Sequence, residues 1–128
     1  MPITFPQIAV IMLGGGIGAL TRYLVSGIIT SKFGVNFPLG TLTVNVVGSF
    51  FMGFLAMWLV ERLGLDPLLR LAIFVGFLGA FTTFSTFSIE TLNLFEEGLG
   101  LRALLNILLN VSCSVLAVWL GALLGKWI

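Results

Sequence analysis

Gly76-Phe77-Leu78-Gly79-Ala80-Phe81-Thr82-Thr83-Phe84-Ser85-Thr86-Phe87-Ser88 sits inside Leu68 to Phe95, a stretch apolar enough to cross a membrane yet threaded with hydroxyls. At about 100° per residue, Phe84 and Phe87 are helical neighbours, with Thr83, Thr86 and Glu90 on one flank and Ser85 and Ser88 on the other. Gly76 and Gly79, followed by Thr82 and Thr83, lower helix propensity in mid-span, so this helix is expected to be broken there. Unwound backbone at membrane depth is tolerated only where the freed carbonyls meet protein, water or an ion.

The flanking sequence supplies three more crossings. Ile8 to Ile29 carries a single charge, Arg22, while Leu39 to Val60 and Ala103 to Gly125 carry none. Each is long enough to span roughly 30 Å of hydrocarbon as a helix. The chain has 128 residues, 59% hydrophobic and 9% charged, whereas soluble domains carry about 25% charged residues to cover their surface. The composition therefore predicts an all-α membrane protein: four transmembrane helices at about 8–29, 39–60, 68–95 and 103–125, in one domain over 1–128. Short connections make neighbouring spans antiparallel and put both termini on one side. Asp66-Pro67 reads as an N-cap followed by an N1 proline for the third span.

Several function classes are excluded. A net charge of +1 leaves no basic surface for nucleic acid. With no histidine and one cysteine, Cys113, the chain offers no plausible metal cluster, no nucleophile with a base nearby and no intrachain disulfide, and no enzyme is expected. Gly14 to Ala19 matches a dinucleotide fingerprint, but no strand precedes it and close helix packing explains it.

Lysine and arginine are spread almost evenly between the two faces. Arg62, Arg70 and Lys126 fall on the side of the termini, Lys32 and Arg102 on the other, with Arg22 nearer the second. Such a tally gives no preferred orientation, so insertion both ways, as an antiparallel dual-topology homodimer, is expected.

Polar residues within hydrocarbon spans are costly and usually face a protein interior or a watery path. Here they form stripes at every fourth residue: Gly14, Gly18, Arg22 and Ser26; Thr41, Asn45 and Ser49; Asn106, Asn110 and Ser114. A cation path would present carboxylates or carbonyl rings, but Glu90 is the one intramembrane carboxylate. Donors dominate instead: the Arg22 charge, the amides of Asn45, Asn106 and Asn110, the hydroxyls, and the weakly positive ring edges of Phe84 and Phe87. The combination suits a narrow path for a small anion. Arg22 can equally snorkel or pair with Glu90.

Taken together, Gly14-Gly15-Gly16-Ile17-Gly18-Ala19 with Arg22-Tyr23, Pro38-Leu39-Gly40-Thr41-Leu42 through Asn45, and Gly76 through Ser88 with Glu90 resemble the CrcB/Fluc family of fluoride channels. The resemblance covers nearly the whole chain, and Thr83 to Ser88 is its most specific part. It implies passive, fluoride-selective export from the bacterial cytoplasm across the inner membrane, relieving fluoride toxicity. It also implies a dual-topology homodimer with two pores, in the lipid bilayer and with no protein partner beyond a second copy. By position, Asn45 resembles the pore asparagine, Phe84 and Phe87 the pore phenylalanines, and Thr83, Ser85, Thr86 and Ser88 the hydroxyls beside them. Ser114 matches a pore-lining serine of the fourth span; Asn110, also assigned to the pore here, and Asn106 occupy positions that vary among members of the family. Arg22 and Glu90 correspond to the vestibule arginine and the acidic residue after the motif. Gly79 and Thr82 match positions whose carbonyls hold a structural sodium ion at the dimer centre. The competing class, a small dual-topology proton-coupled multidrug exporter, needs a carboxylate in its chamber, ideally in the first span, where this chain has only Arg22.

Overall fold

The first crossing starts where Thr4 turns its backbone N–H to Gln7 Oε1 at 2.9 Å, and it places Pro6 in its first turn, where a missing N–H costs nothing. It runs Phe5–Phe33 and stops at Gly34, whose φ of +83° suits glycine and whose N–H donates to the Thr30 carbonyl at 2.8 Å. Three further crossings follow, Leu39–Arg62, Pro67–Glu96 and Gly100–Trp127, each long and apolar enough to traverse a bilayer. All four overrun the apolar limits read from sequence by a few residues, because helical hydrogen bonding continues into polar end residues. This computed structural model describes residues 2–128 and contains no strand among them; of the single domain expected over 1–128, Met1 lies outside the described residues.

Two crossings are not uniform. The second passes from α-helix (Leu39–Leu55) to wider π-helical turns over Ala56–Arg62. The third begins as expected, with Asp66 Oδ1 accepting the Leu68 N–H at 2.8 Å ahead of Pro67. It is π-helical over Leu71–Leu78 and makes one more turn at Gly79–Phe81. Thr82 (φ −87°, ψ 158°) and Thr83 (φ −152°, ψ 111°) are extended, and helix resumes over Phe84–Glu96. The extended pair lies just past the glycines, at two β-branched residues whose stiff side chains favour that backbone.

Glycine sets the helix contacts. A methyl group on Gly14 would strike the carbonyl oxygen of Ala72 and one on Gly18 that of Phe77, so the first crossing lies backbone to backbone on the π-helical part of the third. On the other side, methyls at Gly53, Gly121 and Gly125 would strike the carbonyls of Val118, Phe50 and Phe54, joining the second and fourth crossings. Those two run parallel: Arg102 Nη1 donates to the Asn36 carbonyl at one end (3.3 Å) and Arg62 Nη1 to the Lys126 carbonyl at the other (3.4 Å). The buried core comprises Val44, Leu78, Phe81, Phe87 and Leu94 with Ala103 and Ala117, so that it includes residues on both sides of the extended pair along the third crossing.

Candidate functional site

Leaving the helix at Thr82 and Thr83 redirects backbone donors. The Thr83 N–H donates to Asn45 Oδ1 at 2.7 Å and the Thr86 N–H to the Thr83 hydroxyl at 3.2 Å. In unbroken helix those N–H groups would return to the carbonyls of Gly79 and Thr82, four residues earlier. Both carbonyls are thus released from their helical donors. The Ala80 carbonyl receives Arg22 Nε at 3.0 Å, and the Thr83 carbonyl receives Asn45 Nδ2 at 3.1 Å.

Two grooves meet here, and Thr83 lines both. The first, about 660 Å³, is bounded by Arg22, Ser26, Thr41, Thr83, Thr86 and Glu90. In it the Thr41 hydroxyl donates to Glu90 Oε1 at 2.7 Å, and the other carboxylate oxygen, Oε2, is buried with no partner in the chain. The second, about 380 Å³, is bounded by Asn45, Ser49, Thr82, Thr83, Phe84, Phe87, Asn110 and Ser114. Phe84 and Phe87 meet edge-on there, with centroids 5.3 Å apart and planes at 60°. The Ser114 hydroxyl is buried without a partner. Glu90 also borders a third space of about 390 Å³, with Asn36, Asn93, Glu97 and Arg102, at the end of the bundle that holds the Asn36–Arg102 contact.

Ten of the thirteen residues singled out from sequence border the first two grooves: Arg22, Asn45, Thr82, Thr83, Phe84, Thr86, Phe87, Glu90, Asn110 and Ser114. Ser85, Ser88 and Gly79 border neither, and all are exposed on the single chain. Ser88 donates back to the Phe84 carbonyl at 2.8 Å, and Ser26 to the Arg22 carbonyl at 2.7 Å, the local bonding common for helical hydroxyls. Arg22 does not pair with Glu90: its Nε is held by Ala80 while Glu90 is held by Thr41. No group of three or more Cys, Asp or Glu side chains placed to hold a metal ion exists among the described residues.

Sequence reasoning missed the extent of amide pairing. Asn45 Nδ2 also donates to Asn110 Oδ1 at 3.0 Å, and Asn110 Nδ2 donates to both the carbonyl and Oδ1 of Asn106, each at 2.9 Å. The amide donors assigned from sequence to an ion are therefore directed to protein acceptors. Spacing alone signals that Asn106 and Asn110 share a face; it does not show that Asn45 arrives opposite Asn110.

Comparison with known proteins bears on the whole of this arrangement. The family model described as "CrcB-like protein, Camphor Resistance (CrcB)" matches residues 9–122. A protein of Methylococcus capsulatus named "Fluoride-specific ion channel FluC" is 54% identical over 116 residues, covering 91% of this chain; the chain spans about half, 51%, of that relative's length. Proteins of the same name from Magnetococcus marinus and Citrifermentans bemidjiense are 50% and 42% identical, over 95% and 94% of this chain and 99% and 97% of their own lengths. The match runs through all four crossings and both grooves, and the chain belongs to the CrcB-like family.

Proposed function

We propose that this multi-pass membrane protein is a fluoride-selective channel, working as an antiparallel dual-topology homodimer in the bacterial cell membrane and letting fluoride leave the cytoplasm passively. The observation that carries the reading is the second groove, which Phe84 and Phe87, meeting edge-on, line together with the unpartnered Ser114 hydroxyl where the third crossing leaves the helix.

Fluoride binds water tightly, so a path must replace its shell with several donors at once. Arg22 supplies positive charge at the first groove, which attracts the anion; Thr83 and Thr86 carry it past the break, and Ser114 and the ring edges receive it on the far side. Asn45 and Asn110 shape that wall, with their N–H groups already engaged. Phe84 is 76% exposed on the single chain although it sits beside hydroxyls in mid-crossing, which supports a second copy closing the groove. Two copies make two paths. Exposed Gly79 and partly exposed Thr82 fit a structural sodium ion at the dimer centre, because their carbonyls have lost their helical donors. A sodium ion there neutralises carbonyl dipoles that would otherwise repel across the pair.

Proteoliposomes loaded with fluoride or chloride and read with ion electrodes test the reading. Fluoride efflux without chloride efflux, and without a proton gradient, is expected; chloride efflux at the same rate, or a requirement for a proton gradient, overturns it. The proton-coupled exporter is disfavoured because the first crossing offers a hydrogen-bonded arginine where that mechanism needs a carboxylate.

A further inference from the structure

Five hydrogen bonds form one directional chain through the centre of the bundle. The Thr83 N–H donates to Asn45, Asn45 to Asn110, Asn110 to Asn106, and Asn106 Nδ2 to Thr91 Oγ1 at 2.9 Å; the Thr91 hydroxyl then donates to the Phe87 carbonyl at 2.8 Å. The chain begins and ends on the backbone of the same turn, at Thr83 and Phe87, so it brackets the residues that carry both aromatic rings. Its polarity is set by backbone groups: a backbone N–H requires the oxygen of Asn45 to face Thr83, and a backbone carbonyl requires the Thr91 proton to face Phe87. Each carboxamide between can be placed one way only.

Asn106 is completely buried, and Thr91 is 8% exposed. Neither borders a groove, so neither touches a passing ion. An asparagine fully inside a hydrocarbon crossing is costly unless its bonds are used, and here every polar atom of the side chain is used.

Building on the channel reading, we propose that Asn106 and Thr91 are positioning residues for the ion path. Through Asn110 and Asn45 they hold Thr83 extended, and through the Phe87 carbonyl they hold the pitch of the turn that presents Phe84 and Phe87. The amides of Asn45 on the second crossing and of Asn106 and Asn110 on the fourth thereby set the geometry of the turn on the third without themselves donating to the ion.

The test combines fluoride and chloride efflux per folded protein with amide hydrogen exchange at Thr83, in Asn106→Leu, Thr91→Val, their double variant and Thr91→Ser. Asn106→Leu and Thr91→Val are each expected to speed Thr83 exchange and lower fluoride efflux by about tenfold, with chloride exclusion weakened. The double variant falls no further than the worse single, since both cut one chain, and Thr91→Ser, which keeps the hydroxyl, stays within about twofold of the parent. Parental exchange and efflux in both single variants overturn the proposal. So does a loss of folded protein with efflux per folded channel and chloride exclusion unchanged, the signature of a merely structural role. Should Asn106→Leu fail to fold, Thr91→Val against Thr91→Ser decides. If the unmodified protein passes no fluoride, the channel reading fails, while Thr83 exchange still decides whether the chain of bonds holds the turn.

Discussion

Asn45 and Thr83 are joined by a pair of hydrogen bonds: the Thr83 N–H donates to Asn45 Oδ1 at 2.7 Å, and Asn45 Nδ2 returns to the Thr83 carbonyl at 3.1 Å. One carboxamide thus satisfies both backbone groups of a residue that has left the helix in mid-membrane, where an unpaired group costs several kcal/mol. The second crossing, in this sense, makes the interruption of the third affordable.

Asn45→Asp is accordingly expected to damage both fold and flux. The carboxylate has no N–H for the Thr83 carbonyl or for Asn110 Oδ1. Each orphaned partner costs about 1–3 kcal/mol. Thermal unfolding in detergent should shift down and fluoride efflux should fall to the liposome background; a parental melting temperature would remove Asn45 from its bracing role.

Replacing each ring separates packing from conduction. Phe87 is 6% exposed and Phe84 76% exposed. Phe84→Ile should leave the single-chain fold intact while lowering fluoride efflux by about tenfold or more, as expected when a ring edge that replaces water is lost. Phe87→Ile should lower both efflux and stability. Full efflux in both variants would place the rings outside the path.

Hydroxyls divide by their bonding. Ser114 has no partner, so Ser114→Ala breaks no bond within the chain and should keep stability unchanged while efflux drops several-fold. Ser88 is exposed and bonded to its own helix, and Ser88→Ala should leave efflux and melting temperature close to the parent. Equal flux losses in the two would argue against Ser114 as a donor to the ion.

Gly18→Ala should impair folding, because its methyl collides with the Phe77 carbonyl and forces the first and third crossings apart, an overpacking cost of about 1–3 kcal/mol. An alanine at Gly16 meets nothing within 4 Å in the same chain and is expected to be tolerated. The yield of monodisperse protein after detergent extraction compares the two, and equal yields would contradict the glycine seam.

If the Gly79 and Thr82 carbonyls, released from helical donors, hold the proposed sodium ion between two copies, its exchange for a larger monovalent cation should lower dimer stability and fluoride efflux together. Indifference of both to the cation would remove the structural ion from the mechanism.

The four crossings, the N-cap at Asp66 and the small-residue face of the first span were legible in the sequence, since each depends on local composition or on a spacing of four along one helix. The cluster Thr83, Phe84, Thr86, Phe87 was legible for the same reason. Other features were not. Nothing local distinguishes Ser114, which is unpartnered, from Ser88, which bonds its own helix. Nothing marks Arg22 as the partner of the Ala80 carbonyl rather than of Glu90, or Asn45 as the partner of Thr83 thirty-eight positions away.

By itself the sequence determined that the chain crosses a membrane, how many times, and which faces of its helices carry polar groups, because hydrophobicity and helical period are properties of residues close along the chain. The tertiary structure alone decided which of those polar groups satisfy one another and which stay free. Hydrogen-bond partners are chosen by how glycine lets whole helices approach, a three-dimensional outcome that no local pattern encodes.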